Sequence, residues 1–165
     1  MQDYRNQNHH MELEIEMLMH AARSGSTQIL EELSDVDLNQ KDTNGDTALI
    51  LASKYHQFDV AKLLIARGSN VNEMDNEGNT ALMWAAFTGN LAAAELLIKN
   101  NAALNQQRND GATALMLAVM AGQRELVKLL LVTGADTEVC NALGLRALDL
   151  ALQHGDSEIL ALLEA

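Results

Sequence analysis

Residues of the types that usually carry chemistry are few and scattered in this chain. Two adjacent histidines, His9 and His10, lie in a polar N-terminal segment, and Cys140 is the single cysteine among 165 residues. Neither a His-x-x-x-His nor a Cys-x-x-Cys spacing occurs, so the sequence offers no ligand set for a metal ion. We therefore predict no catalytic, cofactor-binding or metal-ligating residues, and we do not expect an enzyme.

Carboxylates are the most abundant candidates for binding. The chain has 23 Asp and Glu against 11 Lys and Arg, which gives a formal net charge of -12. Such a chain lacks the cations that displace counterions from nucleic acid, and anionic membranes repel it. The expected partner is a neutral or basic protein. The N-terminus does not resemble a signal peptide and no stretch is long enough to span a bilayer, so the expected location is the cytoplasm.

The elements that position these residues recur with a period of 33 residues. The segments NGDTALILA, EGNTALMWA, DGATALMLA and LGLRALDLA begin at Asn44, Glu77, Asp110 and Leu143. A second part of each unit keeps leucine pairs in step, at Leu63-Leu64, Leu96-Leu97, Leu129-Leu130 and Leu162-Leu163. Self-similarity at this period predicts a stack of small units in place of one conventional core.

Each unit predicts a turn followed by two helices. Glycine in the turn supplies positive φ, and Thr47, Thr80 and Thr113 are placed as helix N-caps. Gly89, Gly122 and Gly155 are expected to end the first helix in the left-handed conformation, and His56 breaks this pattern in the first full unit. Second helices are expected to end at Gly68, Asn101 and Gly134.

These motifs resemble the ankyrin repeat, and the resemblance covers roughly residues 16–165. It implies an all-α repeat solenoid of about five stacked units including caps, each with a β-hairpin finger and an antiparallel helix pair. The family's Thr-Pro-Leu-His is here Thr-Ala-Leu-Ile or Thr-Ala-Leu-Met. The expected organisation is a flexible tail at 1–10 and one domain at 11–165, divided into an N-cap at 11–41, repeats at 42–74, 75–107 and 108–140, and a C-cap repeat at 141–165.

The two ends depart from the repeat, as terminal caps do. MELEIEM, from Met11, alternates like a strand, but its acids suit the start of a cap helix, and we favour a helix. No proper hairpin precedes it. At the other end Arg146 replaces the capping threonine, and Asp149 lies early in the following helix, where its charge is favourable.

The resemblance also implies where a partner binds, because ankyrin solenoids use their fingers and the exposed ends of their inner helices. Two positions per repeat are expected to face the concave groove: Lys54 and Tyr55, Phe87 and Thr88, Met120 and Ala121, Gln153 and His154. Tyr55, Phe87 and Met120 are the expected anchors, although each also fits an ordinary groove-lining role. Trp84 follows the core positions Leu51, Leu117 and Leu150, so a mainly structural role is expected for it.

The fingers add a second set of candidate contacts. Thr43 and Asn44 accompany the predicted binding residues Asp46, Asn76, Glu77, Asn79, Asn109, Asp110, Leu143 and Leu145. With Asp42 and Asp75 nearby, the early fingers are expected to form an acidic rim that steers a basic partner, although such charge also serves solubility. Leu143 and Leu145 fit either a contact with a partner or packing on the terminal cap.

The predicted function is to bind one protein partner in the concave groove as a monomer, as an inhibitor or an immunity-type binder. One alternative is a structural adaptor or self-assembling scaffold, in which Leu143, Leu145 or the acidic N-terminal cap mediates assembly. Another is a secreted effector that acts in a host cell.

Overall fold

The fold was analysed in a computed structural model that describes the backbone of residues 2–165 and the side chains from residue 11 onward. Helices follow one another along this part of the chain with short turns between them, and the all-α prediction is confirmed. The helices are α1 (Gln2–Ser24), α2 (Thr27–Glu32), α3 (Ala48–Lys54), α4 (Phe58–Ala66), α5 (Ala81–Thr88), α6 (Leu91–Lys99), α7 (Ala114–Met120), α8 (Arg124–Val132), α9 (Ala147–His154) and α10 (Ser157–Leu163).

The helices form two layers. The odd-numbered helices pack side by side as an inner layer, and each even-numbered helix packs against the inner helix that precedes it. Leu49, Leu82 and Leu115 are buried at one position of successive inner helices, and Ala52, Ala85 and Ala118 at another. The small alanine side chains let neighbouring inner helices approach closely, so apolar burial accumulates from unit to unit.

Helix boundaries follow from the capping residues. The hydroxyls of Thr47, Thr80 and Thr113 accept hydrogen bonds from the backbone N–H groups three residues later, at 3.3 to 3.4 Å. Beyond the inner helices, His56 has φ 59° where Gly89 has φ 77°, and Asn101 takes φ 65° beyond α6. The left-handed helix ends predicted at the glycines and at Asn101 are therefore confirmed, and His56, which breaks the sequence pattern, takes the same conformation.

The predicted β-hairpin fingers are tight turns with little strand. Two antiparallel bridges, Lys41 with Thr47 and Met74 with Thr80, occur among the described residues. The finger tips are joined by main-chain hydrogen bonds from Asn76 to Asn44, from Asn109 to Glu77 and from Ala142 to Asp110, at 2.9 to 3.2 Å. These bonds leave no room for a side chain at the neighbouring turn glycine, since a Cβ on Gly78 would lie 2.9 Å from the Asn109 nitrogen.

Polar side chains connect successive units on the other side of the stack. Asn39, Asn72 and Asn105 each accept, through Oδ1, a 2.8 Å hydrogen bond from a backbone N–H of the next unit, on Asn70, Ala103 and Asp136. The three asparagines are 33 residues apart, as the repeats are. Their hydrogen bonds therefore fix the register between the loops that follow the even-numbered helices, as the finger bonds fix it between the turns.

The N-terminal unit begins with a helix in place of a finger. The segment MELEIEM lies inside α1, so the helical prediction is confirmed. Arg23 near the end of α1 pairs with Asp42 of the first finger at 2.6 Å. α1 includes residues 2–10 of the predicted flexible tail, whose side chains lie outside the described part, and the flexibility of the tail stays a prediction.

At the C-terminal end Asp149 compensates for the missing threonine. Its Oδ2 accepts a 2.9 Å hydrogen bond from the backbone N–H of Arg146, as expected of an acid early in a helix. Over the described part of the chain, none of the helices combines the length and apolar character that crossing a membrane requires.

Candidate functional site

The predicted ladder of groove residues lies in one row along the ends of the inner helices. Tyr55, Phe87 and Met120 are large apolar side chains that remain 49%, 46% and 42% exposed. Beside them Lys54, Thr88 and Ala121 are half-buried, and Gln153 and His154 are exposed. We call the surface between this row and the fingers the groove.

Trp84 lies at the centre of the groove, and the expectation that it is mainly structural is incomplete. Leu51 and Leu117, at the equivalent positions, are buried, but Trp84 is only half-buried because an indole is longer than a leucine side chain. Its Nε1 donates a 3.0 Å hydrogen bond to Asp75 Oδ2, and its ring meets Phe87 edge-on at 6.2 Å. The ring is therefore held in one orientation with part of its surface open to solvent.

An apolar pocket of about 250 Å³ opens on one side of Trp84. Met83, Phe87, Leu117 and Met120 line it together with the indole, and Asn79 and Arg108 close its finger side. The guanidinium of Arg108 is already bonded to Asp110 and, at 3.2 Å, to Asn79 Oδ1. The pocket thus offers an apolar floor and a polar wall that is held by hydrogen bonds within the protein.

An acidic pocket of about 410 Å³ opens on the other side of Trp84, between the first two fingers. Asp46, Asp75 and Glu77 line it, and Lys54 is its cation. The Lys54 Nζ lies 3.9 Å from the centre of the indole ring and 3.6 Å from Asp46 Oδ2. The pocket therefore already holds one ammonium group in a cation–π contact.

Burial sets the ionisation of Asp46. Desolvation is the largest cause that raises the pKa of this carboxyl above its ordinary value of 3.8, and Asp42 and Asp75 add to the rise while Lys54 opposes it. The rise in the pKa of Asp46 therefore comes mainly from burial, and the neighbouring acids add less to it.

The finger residues divide into two groups. Asn76, Glu77, Asn109 and Asp110 are exposed, as expected of contacts with a partner. Asp46 and Asn79, by contrast, are only 2% and 3% exposed, because the chain turns back under the finger at this position. The two buried side chains bond within the molecule and present little surface to a partner.

Asp42 and Asp75 hold the shape of the turns. Asp42 Oδ1 accepts hydrogen bonds from the backbone N–H groups of Asn44 and Asp46, at 2.9 and 3.1 Å. Asp75 Oδ1 makes the same two bonds one repeat later, to Glu77 and Asn79. The expected acidic rim therefore also has a structural cause, since these carboxylates satisfy turn donors.

Arg108 is a groove residue that the sequence reasoning did not single out. It takes the position of Asp42 and Asp75 in the third finger, where its hydrogen bond holds the pKa of the Asp110 carboxyl below the ordinary value. A basic residue at a position that is acidic in two other fingers was the available signal.

The last finger ends in an apolar side chain. Leu143 is 81% exposed, whereas Leu145 is half-buried against the core of the last unit. Of the two predicted roles, packing on the cap suits Leu145, and Leu143 remains open to contact.

No three His, Cys, Asp or Glu side chains from residue 11 onward are grouped as they would be around a metal ion. Cys140 is exposed. His9 and His10 lie outside the side chains that the structure describes.

Comparison with known proteins identifies the repeat. The family model described as ankyrin repeats (3 copies) matches residues 18–108 and 100–164. No curated protein matches the sequence. Ankyrin repeats generally mediate protein–protein interaction and are typically non-enzymatic modules.

Proposed function

Because the chain belongs to the ankyrin-repeat family, we propose that it binds one protein partner in its groove and masks that partner's surface. The action is that of a stoichiometric inhibitor or immunity-type binder in the cytoplasm. The free protein is a monomer.

The observation that carries the proposal is that exposed large apolar side chains recur at one repeat position along the groove. Tyr55, Phe87 and Met120 are 49%, 46% and 42% exposed, and they lie at the ends of successive inner helices. Aromatic residues and methionine are enriched at the centres of interfaces, where a few anchors supply most of the binding energy. Trp84 adds a fourth anchor whose orientation is fixed before binding.

Charge favours a neutral or basic partner. The net charge is -12, and exposed Glu77 and Asp110 lie at the finger tips beside the groove. Such a field accelerates encounter with a basic protein and repels nucleic acid and anionic membranes. Complex formation is therefore expected to slow as ionic strength rises.

Affinity capture from the native source tests the proposal. The bait is the wild-type chain, compared with a variant carrying Tyr55→Ala, Phe87→Asp and Met120→Asp. These side chains are 42% to 49% exposed in the free protein, so the variant is expected to keep its helicity and cooperative melting. A partner that forms a one-to-one complex with the wild type, loses its activity there and escapes the variant supports a groove-mediated inhibitor.

Two results would count against it. If the variant captures the same protein equally well, the groove is not the interface. If the captured partner keeps its activity inside the complex, the inhibitor role fails while binding stands.

A self-assembling scaffold is the second candidate, and the C-terminal end of the stack favours it. Leu143 and Leu152 are 81% and 58% exposed there, because no further unit covers the last inner helix. Apolar ends of this kind favour association between copies. Sedimentation at increasing protein concentration separates the candidates, since a scaffold gains mass and a Leu143→Ser, Leu152→Gln variant does not.

A further inference from the structure

The two pockets beside Trp84 define what kind of partner segment the groove accepts. Both pockets include Trp84, so a ligand that fills them crosses the same indole. They differ in chemistry: Met83, Phe87, Leu117 and Met120 make one apolar, and three carboxylates make the other acidic.

The acidic pocket has excess negative charge next to an aromatic face. Asp46, Asp75 and Glu77 line it with one lysine, Lys54, and Arg108 of the neighbouring apolar pocket also interacts with Asp75 and Glu77. Asp46 is 2% exposed and its ion pair with Lys54 is 3.6 Å long, which leaves its charge weakly compensated. An added guanidinium or ammonium group gains from the carboxylates and from the ring, as the Lys54 ammonium does.

The apolar pocket suits a single large side chain. Met120 and Phe87 flank an opening of about 250 Å³, and methionine adapts its shape to what it contacts. Arg108 on its polar wall is held by hydrogen bonds to Asp110 and Asn79, and an apolar occupant does not have to replace these bonds.

The spacing of the pockets fixes the spacing of the partner's side chains. One pocket lies between the first and second fingers, and the other lies between α5 and α7, about one repeat further along. Packed helices lie roughly 8–10 Å apart, and an extended chain advances about 3.3 Å per residue. An extended segment therefore covers the distance with about three residues.

We propose that the groove recognises an extended protein segment in which an arginine or lysine is followed or preceded, about three residues away, by a large apolar residue. The cation enters the acidic pocket, the apolar side chain enters the apolar pocket, and Trp84 contacts both. This inference rests on the proposed groove binding and adds the chemistry of the bound segment.

The test uses a library of random twelve-residue peptides displayed on phage, selected on the wild-type chain. Enriched peptides are expected to pair a basic residue with a large apolar one at a spacing of two to four residues. Trp84 is the chain's single tryptophan, so its fluorescence reports binding of a synthetic enriched peptide without a label.

A double-mutant cycle assigns each side chain to its pocket. Glu77→Lys is expected to lower the affinity for the peptide about tenfold. Replacing the peptide's basic residue by Gln is expected to lower the affinity for the wild type by the same factor, but to leave the affinity for Glu77→Lys unchanged. Glu95→Lys, on α6 away from the groove, changes the net charge equally and is expected to leave affinity unchanged. Met120→Asp removes the preference for the apolar residue alone.

The outcomes separate the two proposals. One outcome is a set of peptides that bind the wild type, do not bind the Tyr55→Ala, Phe87→Asp, Met120→Asp variant and contain no basic residue. This outcome would overturn the inference but leave the groove as the interface. Equal loss with Glu95→Lys would mean that only net charge matters, which also overturns it. A selection without any peptide that depends on those three groove residues would count against both.

Discussion

At the scale of single residues, one buried position shows how the repeat accommodates different chemistry. Asp46, Asn79 and Ala112 close the first three fingers and are 2% to 3% exposed, and Leu145 holds the same place in the last. Asn79 bonds to Asp75 there, whereas Asp46 has a desolvated carboxylate near two other acids. The buried negative charge of Asp46 therefore lowers the stability of the folded protein.

We predict that Asp46→Asn stabilises the protein near pH 7 and that the gain disappears in acid. The folded state raises the pKa of Asp46, so the native protein holds this proton more tightly than the unfolded chain does. Asp46 thus contributes stability below pH 3.8, and that contribution is lost as the pH rises through the pKa of Asp46 in the folded protein. Urea unfolding followed by circular dichroism from pH 3 to 7 measures the difference.

Asp110→Asn is the matched control with the opposite sign. The hydrogen bond from Arg108 lowers the pKa of Asp110 in the native protein. This carboxylate therefore contributes stability above pH 3.8, which is lost as the pH falls through the pKa of Asp110 in the folded protein. The variant is expected to be less stable at pH 7. A stability loss at neutral pH for Asp46→Asn as well would show that the pair with Lys54 outweighs desolvation.

Two turn glycines provide a second residue-scale prediction. Gly78 and Gly144 have φ of 83° and 73°, but only at Gly78 does an added Cβ meet the next finger. Gly144→Ala is expected to cost about 1 kcal/mol for the left-handed backbone alone. Gly78→Ala is expected to cost roughly 1–3 kcal/mol more, because the Asn109 backbone must move.

The measurement is the free energy of unfolding of both variants in urea. Similar losses for Gly78→Ala and Gly144→Ala would show that the close approach between neighbouring fingers is not maintained in solution.

At the scale of helices, the starts of α4, α6 and α8 are each tied to the end of an earlier inner helix. Gln57 and Gln123, which precede α4 and α8, donate to the carbonyls of Arg23 and Phe87. Asn90 does more: its Oδ1 caps α6 by accepting from the Ala93 N–H, and its Nδ2 donates a 3.0 Å hydrogen bond to the Ser53 carbonyl. One buried amide therefore joins two repeats.

We predict that Asn90→Ala destabilises the protein by about 2–4 kcal/mol. The change removes an N-cap, worth about 1 kcal/mol, and leaves the buried Ser53 carbonyl without this donor, which costs about 1–3 kcal/mol. Asn90→Asp keeps the cap acceptor but not the donor, so an intermediate loss is expected. Chemical denaturation resolves the three proteins, and equal stability of Asn90→Asp and the wild type would contradict the role of the bond to Ser53.

The helices and their ends could be predicted from the sequence more completely than the exposure and contacts of the site residues. Thr80 as a cap and Asn101 as a left-handed helix end follow from chemistry within a few residues, which a sequence displays directly. The burial of Asp46 and the projection of Trp84 depend on how far the neighbouring repeat covers them, which local spacing does not encode. Arg108 was missed because its partner Asn79 lies 29 residues away.

At the scale of the whole molecule, the contacts between inner helices differ from the middle of the stack to its end. Ser53, Ala86 and Val119 take one repeat position and are buried by the following inner helix. Leu152 takes that position in the last unit and is 58% exposed. The same register thus has a structural role inside the stack and a surface role at its end.

We predict that Val119→Ala costs about 2 kcal/mol and that Leu152→Ala changes stability by less than about 0.5 kcal/mol. Val119 is 2% exposed, so truncation removes buried methyl groups and opens space in the contact between α7 and α9. Leu152→Ala removes more atoms, but these atoms are largely exposed to solvent. Thermal and urea unfolding measure both, and a large loss for Leu152→Ala would show that the end of the stack is covered in solution.

The ties between repeats also bear on how the chain folds. Among the described side chains, hydrogen bonds join residues no more than 37 positions apart, as in Asn90 with Ser53. Closing such a loop has an entropy cost that rises only with the logarithm of its length, and each junction closes a loop of similar size. These loops are short relative to the chain, so we expect folding to start at any adjacent pair of units and to spread outward. A longer solenoid of this kind would add further steps without slowing the first one.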